Sequence, residues 1–174
     1  MTRRAIALVI FALVATGAGA TPSITIGRAK LFLAAVEPDG LREYRPRSED
    51  ADHWTRRATV RVFPDLKDPV AYLKQAAADI TKTSRFAHYE VKQDPHTKEL
   101  ILDFMTFPPD TDPKQYAEWS LLRARYVAGR GLVVCQYSLR SYVVGTPAAV
   151  KVRAERDRMT EPFKAATFEE EAQP

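Results

Sequence analysis

The chain has 174 residues, a formal charge of +4, 45% hydrophobic residues and a single cysteine, Cys135. That length suits one domain able to bury a core of its own, and one cysteine excludes an intramolecular disulfide. Arg3 and Arg4 supply two of the four charges, so the rest of the chain carries only +2, too little to argue for nucleic acid as a partner.

The first segment reads as an address, not as part of a fold. Arg3 and Arg4 precede an apolar run from Ala5 to Ala15, and small residues ending Ala18-Gly19-Ala20 follow, the three-part layout of a secretory signal peptide. Cleavage is expected after Ala20, giving a mature chain from Thr21 that is periplasmic or secreted. The apolar run is too short to span a bilayer and no second run reaches membrane length, so no integral span is expected after cleavage. Cys135 lies far from the cleavage site, so it is not a lipoprotein's acylated cysteine. The expected organisation is a signal peptide over residues 1–20, a flexible leader over 21–29, a single domain over 30–163 and an acidic tail over 164–174.

Within the domain, Lys30 to Val36 reads as a strand, Glu37-Pro38-Asp39-Gly40 as a turn, and Leu41 to Arg45 as its returning partner. Pro46 to Asp52 is polar loop. From Trp54 the residues alternate: Trp54, Ala58, Val60 and Val62 on one parity, and Thr55, Arg57, Thr59, Arg61 and Phe63 on the other. That is a strand with one buried face, ended by Pro64. Asp68-Pro69 then predicts a helix start, with Asp68 as cap and Pro69 in the first turn. Val70, Leu73, Ala77 and Ile80 recur at helical spacing to about Lys82–Ser84. Four strands follow without an intervening helix: His88 to Gln93, Glu99 to Phe107, Tyr116 to Ala128 and Gly131 to Val144. The last two flank a tight turn at Gly129-Arg130. Thr146-Pro147 opens a final helix carrying Ala149, Val152, Met159 and Phe163, with Arg156 interrupting the stripe. Successive long strands pair as hairpins, so the expected fold is α+β, an antiparallel sheet of about five to seven strands with two main helices.

Glu43-Tyr44 ahead of a polar loop, Trp54-Thr55 opening the strand before the long helix, and this order of elements resemble the Mog1/PsbP-like proteins and the exported bacterial proteins of unknown function that look like them. The resemblance covers about residues 30 to 163. It implies a binding or assembly module more than an enzyme, and it brings no catalytic residue with it.

Candidate chemistry is sparse. Cys135 shares a strand parity with Val133, Tyr137 and Leu139 and no histidine lies near it in sequence, so it reads as buried and structural. His53, His88 and His96 lack metal-ligand spacing, and Asp110, Asp112 and Glu118 supply too few convergent oxygens for a hard cation. No cofactor, metal or catalytic set is expected. Arg123 and Arg125 share a parity with Trp119, while Arg140 lies with Gln136 and Ser138. If those faces coincide, Arg123, Arg125, Arg140 and Trp119 form a basic patch for an envelope protein or a small anionic ligand; otherwise they are ordinary solvent-facing or ion-paired arginines. A non-enzymatic periplasmic binding or assembly module is the function these features favour. A hydrolase joining His53 with Asp110, and a peripheral envelope protein resting on its basic hairpin, are the alternatives.

Overall fold

Where the first helix was expected to follow a capped start, Asp68 Oδ1 accepts hydrogen bonds from the backbone N–H groups of Val70 and Ala71 at 2.9 and 3.0 Å. Helix α1 (Pro69–Thr83) follows from that cap. The computed structural model describes residues 21–84, 87–93, 99–107, 116–142, 146–166 and 168. Around α1 stand strands β1 (Ser23–Ile26), β2 (Ala29–Val36), β3 (Arg42–Arg45), β4 (Arg56–Phe63), β5 (His88–Gln93), β6 (Leu100–Thr106), β7 (Ala117–Val127) and β8 (Gly131–Ser141), with helix α2 (Thr146–Ala165) last. The strands form one open antiparallel sheet in the order β1-β2-β3-β4-β8-β7-β6-β5. The fold is thus α+β, with eight strands where five to seven were expected.

The additional strand is β1, which occupies the segment expected to be a flexible leader. Four residues are too few for alternation to register in a sequence. Pairing decides the matter: Ile24 sits opposite Leu31 and Ile26 opposite Ala29, and both isoleucines are buried. Gly27 makes the turn with φ of 59°, and a Cβ there would meet Pro162 of α2 at 3.1 Å. The tight turn and the close approach of α2 both favour glycine. At the other end, α2 continues to Ala165 and the side chain of Phe168 is buried, so the domain runs past the expected start of the acidic tail.

The two helices lie on opposite faces of the sheet. Leu73 and Ala77 of α1 pack with Leu102, Leu122, Leu132 and Val134 in one cluster. Val152, Met159 and Phe163 of α2 pack with Leu121, Val133, Cys135, Tyr137 and Leu139 in the other. Both parities of β7 and β8 are therefore buried, which is why these strands read as nearly continuous apolar runs. Leu122 belongs to the α1 side, whereas Val133 and Leu139 belong to the α2 side. The β7–β8 hairpin closes through Ala128-Gly129-Arg130, with Arg130 N–H donating to Val127 O at 3.0 Å. Gly131 then begins β8 with φ of 97°, and a Cβ there would collide with Phe63 O and lie 2.6 Å from Pro64 Cα.

Candidate functional site

Helix α1 packs on β6 and β7. On the same side of the sheet, β3, β4 and the outer half of β8 present a polar strip. Register places its members in rows: Glu43 beside Thr59, Thr59 beside Gln136, and Arg57 beside Ser138. Between the strip and α1 lies a groove of about 350 Å³. Tyr72, Ala76 and Ile80 of α1 form its apolar wall, and Arg57, Thr59 and Arg61 of β4 face them, flanked by Glu43 and Gln136. Alternation in β4 built this wall: the parity that carries Arg57, Thr59 and Arg61 points away from the core under α2.

One end of the strip is held by an alternating stack of rings and guanidinium groups. Arg140 lies 3.9 Å from the Tyr116 ring centre and 4.0 Å from that of Trp54, and Arg57 lies 4.2 Å from the Trp54 ring on its own side. Each contact combines cation–π attraction with burial of the arginine stem. The backbone around Trp54 is pinned as well. Glu49 accepts from the N–H groups of Thr55 and Arg56 and from Thr55 Oγ1 at 2.7, 3.2 and 2.6 Å, and the Tyr142 hydroxyl donates to Trp54 O at 3.2 Å.

Carboxylates thread between these cations. Glu118 takes Arg140 at 2.9 Å and Arg57 at 3.4 Å, while Glu43 takes Arg45 at 2.8 Å and Arg57 at 3.7 Å. Arg61 pairs with Asp39. Beneath them, the Ser120 and Ser138 hydroxyls lie 2.7 Å apart, and Gln136 Nε2 donates to both, at 3.1 and 2.9 Å. The Arg140 guanidinium loses hydration on burial, but its contacts with Glu118 and Tyr142 outweigh that loss and hold its pKa above the ordinary value. The strip can therefore present fixed positive charge and oriented hydrogen-bond donors at neutral pH.

The opposite face carries a second polar centre. Asp103, 3% exposed, accepts from Trp119 Nε1 at 2.6 Å, Lys92 Nζ at 2.7 Å and Arg156 Nε at 2.9 Å. Burial pushes its pKa up, yet the hydrogen bonds from Lys92, Trp119 and Arg156 prevail and hold it below the ordinary carboxylate value. This centre ties α2 to β6 and β7. Arg156, which broke the apolar stripe of α2, is the residue that makes the tie.

The four residues expected to form a basic patch are not brought onto one face. Trp119, Arg123 and Arg125 share the α2 side, opposite Leu139, Cys135 and Val133, whereas Arg140 pairs with Glu118 on the α1 side. Trp119 is 1% exposed and Arg123 2%. Arg123 donates to Lys164 O and Ala166 O at 2.7 Å each, closing the end of α2, and Arg125 pairs with Glu99. Only Arg140 adjoins the groove region. Cys135 is 2% exposed. His53 lies 3.8 Å from Asp50 on the surface, where Asp50 serves mainly as acceptor for the His53 and Asp52 N–H groups, which lower its pKa. His96, Asp110 and Asp112 lie outside the described residues, as does the partner that His53 was expected to find in Asp110. Among the described residues, no three His, Cys, Asp or Glu side chains are placed to hold a metal ion, and no helix is long and apolar enough to cross a membrane.

Arg57 and Arg61 were not singled out from the sequence as site residues, and Glu43 entered only through the Glu43-Tyr44 pair. The signal of the two arginines was present as the polar parity of β4, which reads equally as an ordinary solvent face; it becomes a groove wall only because α1 lies alongside. A protein-family model matches residues 40–168, from just before β3 to the end of the described chain. No curated protein and no solved structure matches the chain.

Proposed function

The chain belongs to the uncharacterised family whose model it matches over most of its length, and from that premise we propose that it is an exported, non-enzymatic binding module whose ligand lies in the groove between α1 and β4. The observation that carries this reading is the groove itself. About 350 Å³ is enough for a small ligand, one wall is apolar, and the other offers guanidinium, amide and hydroxyl groups. The export half of the reading rests on the signal-peptide layout of residues 1–20. Kinship with the Mog1/PsbP-like proteins is part of the same proposal, supported by Glu43-Tyr44, Trp54-Thr55 and the element order. Two of those residues, Glu43 and Trp54, contact Arg57 at the groove's edge.

The test recovers the tagged full chain from the cells that make it and examines the purified protein by native mass spectrometry. A copurifying ligand or partner is expected, and it should be lost from Ala76→Trp, which plugs the groove from the helix side while leaving the melting temperature close to that of the parent. The mature amino terminus should be Thr21. Empty protein from both forms, or a ligand held equally by the plugged variant, would overturn the reading; retention of Met1 to Ala20 would overturn its export half.

A further inference from the structure

The polar strip is rich in donors and short of acceptors. Arg45 Nη1 and the Nε atoms of Arg57, Arg61 and Arg140 are all buried with no hydrogen-bond acceptor among the described residues. All four arginines belong to one face of β3, β4 and β8. Buried donors left unpaired are costly and rare in native proteins, and several together mark a place where an acceptor belongs.

Arg45, Arg57, Arg61 and Arg140 alternate there with the carboxylates of Asp39, Glu43 and Glu118, and Asp50 acts on Arg45 as well. We propose that the groove takes the carboxylate of a small ligand with an apolar body, its oxygens received between Arg57 and Arg61 and its body laid along Tyr72, Ala76 and Ile80. This inference rests on the reading of the groove as the ligand site and adds the chemistry of what it holds.

The two arginines suit that role for separate reasons. They lie on the same face of β4 with Thr59 between them, and both line the groove. Their existing partners occupy only the Nη atoms: Glu118 and Glu43 on Arg57, at 3.4 and 3.7 Å, and Asp39 on Arg61. The Nε edge of each is unclaimed. Their side chains keep 25% and 31% of their surface, so binding has each partly exposed head turn its buried Nε–H toward a ligand oxygen. Glu43 lines the groove, and a phosphate monoester would set nearly two negative charges beside it at neutral pH where a carboxylate sets one.

Calorimetric titration of the purified full chain separates these chemistries. The probes are octanoate and 3-phenylpropanoate, the amide of each, and phenyl phosphate. Either acid should bind roughly tenfold or more tightly than its amide, because the amide forfeits the charge-assisted contacts. Arg61→Gln should weaken acid binding by about the same factor and leave amide binding unchanged, with Arg61→Lys between the two. The acid–amide comparison needs no variant, so it decides the question even if Arg61→Gln folds poorly. An amide bound as tightly as its acid, phenyl phosphate bound more tightly than both acids, or no binding of either acid would overturn the proposal. A neutral ligand recovered with the protein and lost from Ala76→Trp would sink the carboxylate assignment while leaving the groove reading standing; absence of any groove ligand sinks both.

Discussion

Asp103 shows how one buried residue can tie two layers together. Its carboxylate is held by an indole N–H, an ammonium and a guanidinium from β7, β5 and α2, so removing the charge strands two cations. Both keep about 30% of their side-chain surface, and water offsets part of the loss. Asp103→Asn should therefore destabilise by about 2–3 kcal/mol at neutral pH, below the full cost of breaking a deeply buried pair. The sign of its pH dependence follows from a native pKa lower than the ordinary 3.8. The stabilisation is complete above that ordinary value and is lost as pH falls through the native one. Denaturation of parent and variant at a series of pH values should show the gap closing below about pH 4. Cys135 makes a simpler case: buried among Val133, Tyr137 and Leu139, it should resist thiol reagents in the native state. Cys135→Ala should fold with a loss of about 1–2 kcal/mol, and rapid native labelling would contradict the burial.

At the level of elements, α2 is the instructive one. Its apolar stripe is interrupted by Arg156, and a proline, Pro162, lies inside it. Two arginine anchors compensate, Arg156 on Asp103 and Arg123 on the carbonyls that end the helix. Arg123 also lies 5.7 and 5.2 Å from the Phe163 and Phe168 ring centres, so one side chain supplies charge to the helix C-terminus and a platform for two rings. Arg123→Met keeps much of the volume but abandons the carbonyls. It should cost about 2–4 kcal/mol and loosen the end of α2, measurable as faster amide exchange over residues 159–166. Arg125→Met, whose Glu99 pair is 41% exposed on the arginine side, should change stability by less than about 1 kcal/mol. Equal effects of the two substitutions would refute this division of roles.

For the whole molecule, stability should be graded across the sheet. β4, β8 and β7 are central strands with neighbours on both sides, and β7 and β8 are covered by helices on both faces. β5 is a six-residue edge strand with Tyr89 and Val91 exposed. Hydrogen exchange should accordingly be slowest in β7 and β8, intermediate in β2 and β3, and fastest in β5. Uniform protection from β5 to β8 would contradict this grading.

The order of elements, the capped start of α1 and the buried parity of Cys135 were all legible in the sequence, because each depends on neighbours within a few residues: side-chain alternation, an Asp-Pro cap, a Gly-containing turn. Three features were not. β1 exists because β2 offers Ile24 and Ile26 a partner and a core, and four residues cannot announce that alone. Whether Arg123, Arg125 and Arg140 share a surface depended on which parity of β7 lies opposite which parity of β8, a matter of register that pairing alone decides. The groove depended on α1 lying over β6 and β7 and stopping short of β4, a packing outcome with no local signal. Local periodicity thus determined which residues are strand or helix, and tertiary structure decided which arginines are anchors and which line a groove, because burial is a property of what an element packs against and not of the element's own sequence.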